Sequence, residues 1–97
     1  MAISKRDIFY TKLNSIKSTI EKSSDSQKKV HIAKYMGDTF NTLLSEIETE
    51  YPELNSSLPP KIRSTGVYSR AQMCDITYLD LEILTETTLS LLKLIEK

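Results

Sequence analysis

The chain is short of the residues that tight turns, disulfides and metal sites require. Its 97 residues include two glycines, three prolines, one cysteine, one histidine and no tryptophan. So few turn formers disfavour β-sandwiches and barrels and leave no glycine-rich phosphate loop. One cysteine excludes a disulfide framework within the chain and a multi-cysteine zinc site, and one histidine excludes the two-histidine metal motifs.

The same scarcity argues against catalysis. His31 and Cys74 lie in separate segments, so the sequence presents neither a Ser/His/Asp nor a Cys/His arrangement. Acidic pairs one helical turn apart, such as Glu82 and Glu86, lack the Glu-x-x-His motifs of di-metal bundles. We therefore expect a noncatalytic protein with no cofactor, no metal and no catalytic residue.

Long apolar runs are missing as well. No stretch of about 20 apolar residues is present to span a bilayer, and the first residues contain no apolar segment of signal-peptide length. We therefore expect no membrane partner and a cytoplasmic location. In that reducing compartment Cys74 is expected to be a small core residue.

Charge is balanced overall but unevenly distributed, with 13 basic and 13 acidic residues. The net charge is +5 over residues 1–34, −5 over 35–60, +3 over 61–74 and −3 over 75–97. Blocks of opposite sign orient and accelerate association. The basic first third therefore has acidic partners in the same chain or in a second copy of it.

Three segments have the periodicity of amphipathic helices, at about residues 5–22, 25–51 and 69–96. An irregular loop over 52–68 separates the last two, and its apolar residues are spaced to lie over the bundle. The expected fold is a single all-α domain over residues 1–97, a three-helix bundle with two long helices. The order and sense of the helices stay open, because the loop is long enough for either sense.

Capping signals precede each predicted helix, at Ser4-x-x-Asp7, Ser24-x-x-Gln27 and Ser69-x-x-Gln72. Gly37, at the edge of the second apolar arc, marks either a close approach of another element or a break in the helix. The expected core residues are Phe9, Leu13, Ile16, Ile20, Met36, Phe40, Leu43, Ile47, Ile76, Leu84 and Leu91.

The apolar arc of the third helix is about 180° wide, whereas an ordinary surface helix has a stripe a little over 100° wide. Such a helix must be covered on two sides, and the short first helix covers one of them poorly. We therefore predict a homo-oligomer that completes the bundle, because small chains enlarge their cores by self-association. The predicted interface consists of Leu84, Leu89, Leu91, Leu92, Leu94 and Ile95.

One acid and three surface residues stand out as other candidate sites. Asp80 falls inside the apolar arc of the third helix, where a carboxylate needs a hydrogen-bonding or positive partner. It is therefore a candidate buried polar site. Tyr35, Lys61 and Arg63 are candidate contacts to a protein partner.

The segment 28–47 raises an alternative, nucleic-acid binding. Ala33, Gly37 and Leu43 occupy the small, turn and core positions of a pattern that resembles part of a helix-turn-helix. The segment departs from that family at Asp38 and Glu46, where apolar residues are usual, and its recognition helix would contain no Lys or Arg. The basic first third is a second candidate for phosphate contact.

The function we predict is a noncatalytic protein–protein interaction module of the adaptor, regulator or inhibitor type. It self-associates through its C-terminal helix and binds an unidentified protein. Excess apolar helix surface, charge blocks of opposite sign and a long proline-containing loop are the features behind this expectation.

Overall fold

Three long helices and a small two-stranded sheet make up the part of the chain that the computed structural model describes, residues 3–95. The chain is mostly helical, as the sequence predicts, but the sheet has no place in the predicted all-α bundle. In chain order the elements are α1 (Lys5–Glu21), α2 (Asp25–Lys28), β1 (His31–Ala33), α3 (Lys34–Glu50), a 3-10 turn (Pro52–Leu54), α4 (Gly66–Arg70), β2 (Met73–Thr77) and α5 (Tyr78–Leu94).

Side-chain caps fix the starts of the first two helices where the sequence predicts them. The amide of Asp7 donates to Ser4 Oγ at 3.1 Å. Ser24 and Gln27 form a reciprocal capping box at the start of α2, which satisfies two amides that lack a partner inside the helix. The third predicted cap is wrong, because Ser69 lies within α4.

The predicted helix over 25–51 is wrong between residues 29 and 33. After α2 the chain enters β1, which pairs antiparallel with β2 and sets His31 opposite Thr77. The β-branched residues Val30 and Ile32 favour this extended conformation. The sheet also replaces a side-chain cap for α3, because the amide of Lys34 donates to the carbonyl of Gln72 at 3.0 Å.

The alternative of a helix-turn-helix at 28–47 is contradicted as well. α3 continues without interruption from Lys34 to Glu50, so the position predicted as the turn, Gly37, lies inside a helix. A strand, rather than a first helix, precedes it. The resemblance reflected the apolar spacing that a single amphipathic helix shares with that motif.

The predicted helix over 69–96 is divided in the same way. α4 ends at Arg70, Gln72 adopts a left-handed φ of 60°, and β2 follows before α5 begins. A left-handed residue other than glycine interrupts any helix that reaches it. The predicted end at residue 96 lies outside the described residues, and the predicted loop over 52–68 already contains the 3-10 turn and the first residues of α4.

The remaining loop is fixed to the body by hydrogen bonds. The carbonyl of Arg63 accepts from the amide of Asp75 at 2.8 Å, along the edge of β2. The side-chain amide of Asn41 on α3 donates to the carbonyl of Ile62 at 2.9 Å and accepts from its amide at 2.7 Å. Leu54 and Ile62 are buried, so the loop lies over the core as its spacing predicts.

Gly37 is the position where α3 and β2 approach each other closely. A β-carbon added there would collide with Sγ of Cys74 and lie 3.3 Å from Cγ2 of Ile62. Of the two predicted alternatives, close approach is confirmed and a break in the helix is not. Cys74 is buried and unpaired, as a small core residue.

The core forms where α1 and α5 pack together over α3 and the sheet. Of the eleven predicted core residues, seven are buried and four (Met36, Ile76, Leu84 and Leu91) are partly buried against them. The buried apolar residues are Phe9, Leu13, Ile16, Ile20, Ile32, Phe40, Leu43, Leu44, Ile47, Leu54, Ile62, Cys74, Leu81, Leu89 and Leu92.

Candidate interaction surface on the last helix

A capping box starts α5 and explains the one acid that the sequence placed among apolar residues. Thr77 Oγ1 accepts from the amide of Asp80 at 3.3 Å, and Asp80 Oδ2 accepts from the amide of Thr77 at 3.1 Å. Asp80 is exposed, so the predicted buried polar site is wrong. Its carboxylate instead satisfies the start of the helix and complements the helix dipole.

The inner face of α5 is closed by the rest of the chain. Two of its residues are threonines whose hydroxyls are satisfied within the helix: Thr85 donates to the carbonyl of Leu81, and Thr88 to the carbonyl of Leu84, both at 2.8 Å. The face is therefore compatible with a dry core. It consists of Leu81, Thr85, Thr88, Leu89 and Leu92, all buried.

The outer face of α5 has nearly the same composition but lies in solvent. Its five residues fall within an arc of about 80° at 100° per residue, opposite the inner face, and none is charged. Leu79, Ile83 and Leu94 are 44%, 57% and 77% exposed. The outer face consists of Leu79, Ile83, Thr87, Ser90 and Leu94.

Charged residues border this face on both sides. Glu82, Glu86 and Lys93 follow one edge at spacings of four and seven, and Asp80 lies at the other edge. Glu86 Oε1 is 3.4 Å from Lys17 Nζ on α1, in a pair whose carboxylate side chain is 54% exposed. The outer face is thus an uncharged stripe with charged borders, which is the pattern of a helix–helix seam.

The solvent faces of the other two long helices are different. The exposed residues of α1 include Thr11, Asn14 and Ser18, and those of α3 include Asp38 and Glu46. Those faces need no cover, because polar side chains remain hydrated. A row of exposed leucine and isoleucine side chains along one face is therefore a particular property of α5.

The six residues predicted as an oligomer interface divide between the two sides of α5. Leu89 and Leu92 are buried within the chain itself. Leu84, Leu91 and Ile95 are partly buried against the core. Leu94 alone belongs to the outer face. Ile83 and Leu79, which complete that face, were not among the predicted interface residues, although their spacing of four contained the signal.

The three predicted partner contacts are all on the surface. Tyr35 is 69% exposed on the first turn of α3. Lys61 and Arg63 are exposed on the loop before α4. The carbonyl of Arg63 is engaged by β2, but its side chain projects from the exposed part of that loop.

A second open surface is the groove between α1 and α3. Its cavity volume is about 500 Å³ at the end nearer Lys5. Phe9 and Ile8 line it from α1, and Glu46 and Glu50 line it from α3. Lys5 Nζ lies 3.2 Å from Glu50 Oε2 and so spans the groove at that end.

His31 does not lie in a helix, as the predicted helix over 25–51 implies. It is in β1, where its Nδ1 is 2.8 Å from the carbonyl oxygen of Cys74. Its ring stacks on Tyr68 of α4 with centroids 4.2 Å apart and an interplanar angle of 14°. The imidazole therefore fastens α4 to the sheet.

Two other kinds of site are absent from the described residues. Within residues 3–95, no group of three or more His, Cys, Asp or Glu side chains is arranged to hold a metal ion. Over the same residues, no helix combines the length and the apolar character needed to cross a membrane.

Comparison with known proteins finds no matching family model, no matching curated protein and no matching solved structure. Any function assigned to the chain therefore depends on its own surfaces.

Proposed function

We propose that the chain is a noncatalytic protein–protein interaction module that self-associates through the outer face of α5. The observation that carries the proposal is the uncharged stripe from Leu79 to Leu94, which has the composition of a buried face but lies in solvent. Large apolar side chains exposed along one helix face mark sites of association. A second copy offers the same stripe, so a two-fold symmetric contact covers both at once.

The expected affinity is modest. Fully burying a Leu or Ile contributes about 1.5–3 kcal/mol, so covering the partly exposed Leu79, Ile83 and Leu94 of two copies would contribute roughly 5–10 kcal/mol. Association costs about 4–15 kcal/mol in lost freedom of motion. At the favourable end of both ranges the balance is about 6 kcal/mol, which corresponds to a Kd of roughly 40 µM.

Sedimentation velocity from about 1 to about 300 µM tests the proposal across that range. We expect a monomer at the lowest concentration and a dimer at the highest. Ile83→Glu, which adds a charge to the middle of the stripe, should leave the chain monomeric throughout. The matched control is Val67→Glu, which adds the same charge to an apolar residue of α4 that is 75% exposed.

Two results would contradict the proposal. One is a wild-type chain that stays monomeric at the highest concentration. The other is a dimer that Ile83→Glu and Val67→Glu weaken equally, which would place the contact away from α5. Circular dichroism of both variants establishes that each retains the helical fold.

Binding of a different protein belongs to the same proposal, and the groove between α1 and α3 favours it. The groove has apolar residues such as Phe9 within it, lysines on its α1 side and glutamates on its α3 side. An amphipathic helix with acidic and basic flanks would match both the shape and the charges. Phosphate contact by the basic first third has less support, because Lys5 and Lys17 are paired with Glu50 and Glu86.

A further inference from the structure

We infer that two copies of α5 associate in antiparallel sense, with Glu86 of each copy beside Lys93 of the other. The inference rests on the proposed self-association and adds its geometry. Its starting point is the spacing of the outer face. Ile83, Thr87 and Ser90 are separated by four and three residues, and Leu94 follows after four more. This 4-3-4 spacing is the seam of a two-helix coiled coil.

The midpoint of the seam lies between Thr87 and Ser90. An antiparallel pair centred there sets Ile83 on Leu94 of the second copy at both ends of the contact. At the centre it sets Thr87 beside Ser90, so that small hydroxyl side chains meet small ones. Large apolar residues thus close the ends and small ones allow the helices to approach at the middle.

The charged border decides between the two directions. Glu86 and Lys93 lie seven residues apart on the same edge of the stripe, so they occupy equivalent flanking positions in successive heptads. In an antiparallel pair each Glu86 meets a Lys93, which gives two ion pairs related by the two-fold axis. In a parallel pair the flanking position of Glu86 faces that of Leu91 in the second copy, so the two ion pairs do not form.

Both side chains are accessible for this contact. Lys93 is exposed, and the side chain of Glu86 is 54% exposed despite its contact with Lys17. A carboxylate has two oxygens and accepts several hydrogen bonds, so Glu86 can hold Lys17 within the chain and Lys93 across the interface together.

A charge-exchange experiment tests this geometry. Glu86→Lys alone sets lysine against lysine at both contacts, and Lys93→Glu alone sets glutamate against glutamate. Each variant should self-associate about tenfold more weakly than the wild type. Mixed in equal amounts, the two variants should form a heterodimer of near wild-type affinity, because both contacts again join opposite charges. Sedimentation velocity of each variant and of the mixture gives the three dissociation constants.

The matched controls are Glu53→Lys in the 3-10 turn and Lys22→Glu at the end of α1, which make the same charge changes at exposed residues outside the outer face of α5 and outside the groove between α1 and α3. Neither should alter self-association, alone or mixed. Because Glu86→Lys also removes the contact with Lys17, its thermal unfolding is compared with that of the wild type.

The results distinguish the antiparallel pairing of α5 from self-association through its outer face. If the wild type associates and Ile83→Glu abolishes association, but the mixture is no tighter than its components, the antiparallel pairing is wrong and the interaction surface stands. If the wild type does not associate at all, both are wrong. Weakening of self-association by each single variant, with recovery to wild-type affinity in the mixture and no effect of the control pair, supports the antiparallel contact, because a parallel pair lacks the ion pairs that the single variants remove.

Discussion

The two faces of α5 carry similar side chains in opposite environments. The inner face has three leucines and two threonines, all buried. The outer face has two leucines, an isoleucine, a threonine and a serine, with Leu94 77% exposed. Composition alone therefore does not decide which face of a helix the chain covers. The arrangement of α1, α3 and the sheet does, and it leaves one apolar face without a cover.

The uncovered outer face of α5 is the physical reason to expect self-association. Leucine and isoleucine side chains gain free energy when they leave water, and a second copy presents the same face. The outer faces of α1 and α3 carry charged and hydroxyl side chains and have no such need. Substitutions on the packed and open sides of the molecule should therefore differ in the size and the kind of their effects.

The largest effect should come from shortening a side chain on the inner face of α5. Leu92 is fully buried and Leu94 is 77% exposed, two positions along the same helix. Leu92→Ala should lower the free energy of unfolding by about 2–5 kcal/mol, because it removes buried methyl groups and leaves a cavity. Leu94→Ala should change it by less than about 0.5 kcal/mol. Urea unfolding at low micromolar concentration compares the two, and equal losses would contradict the assignment of the faces.

A larger side chain at the contact between α3 and β2 should also lower the free energy of unfolding. Gly37→Ala places a methyl group against Cys74 Sγ, so we expect a loss of about 1–3 kcal/mol in the free energy of unfolding. Cys74→Ala in the same chain removes the obstructing sulfur and should recover part of that loss. A double-mutant cycle with no coupling between the two sites would show that α3 and β2 are not in close contact there.

A smaller effect should come from the cap at the border of the outer face. Asp80→Ala removes the carboxylate that accepts from the amide of Thr77, and should cost about 0.5–1 kcal/mol of stability. Asp80→Asn should cost less, because the amide oxygen still accepts. If Asp80→Leu raises stability above the wild type in thermal unfolding, the acid belongs to an apolar face and the capping assignment fails.

The smallest effect should be a gain in the affinity of self-association. Thr87→Val enlarges the apolar stripe without adding charge or length. We expect self-association to become tighter by a factor of about 3, because the seam loses a hydroxyl group and gains a methyl group. Ser18→Val on the exposed side of α1 is the control. Sedimentation velocity checks both, and a tighter dimer in the control alone would move the interface to α1.

The long helices were predictable because their apolar spacing is a local property. Phe9, Leu13, Ile16 and Ile20 repeat with the period of a helix and face one core. The starts at Ser4 and Ser24 were predictable for the same reason, since a cap involves only the next three residues.

The strands were not predictable in this way. β1 has three residues, too few to show an alternating pattern, and its pairing partner β2 lies some forty residues along the chain. What forms the sheet is a contact between distant segments, which overrides the weak helix preference of residues 29–33 and 71–77.

The candidate surface was predictable only in part. The wide apolar arc correctly indicates that α5 has more apolar surface than one side can bury. The arc combines the inner and outer faces of α5, however, because a helical projection records the angle of each residue and not the positions of the elements that pack against the helix. Leu92 on the inner face and Leu94 on the outer face entered the predicted interface together, while Ile83 did not. Only the packing of α1 against α5 distinguishes them.

The most direct test of the central claim measures how solvent reaches the outer face as concentration rises. Relaxation of methyl resonances by a soluble paramagnetic agent reports this for Ile83 and Leu94, with the exposed Val67 as an internal reference. At low concentration the methyl groups of the outer face should relax readily, in proportion to their exposure. At high concentration we expect them to become protected while Val67 does not. Outer-face methyl groups that stay as accessible as they were at low concentration would contradict the account.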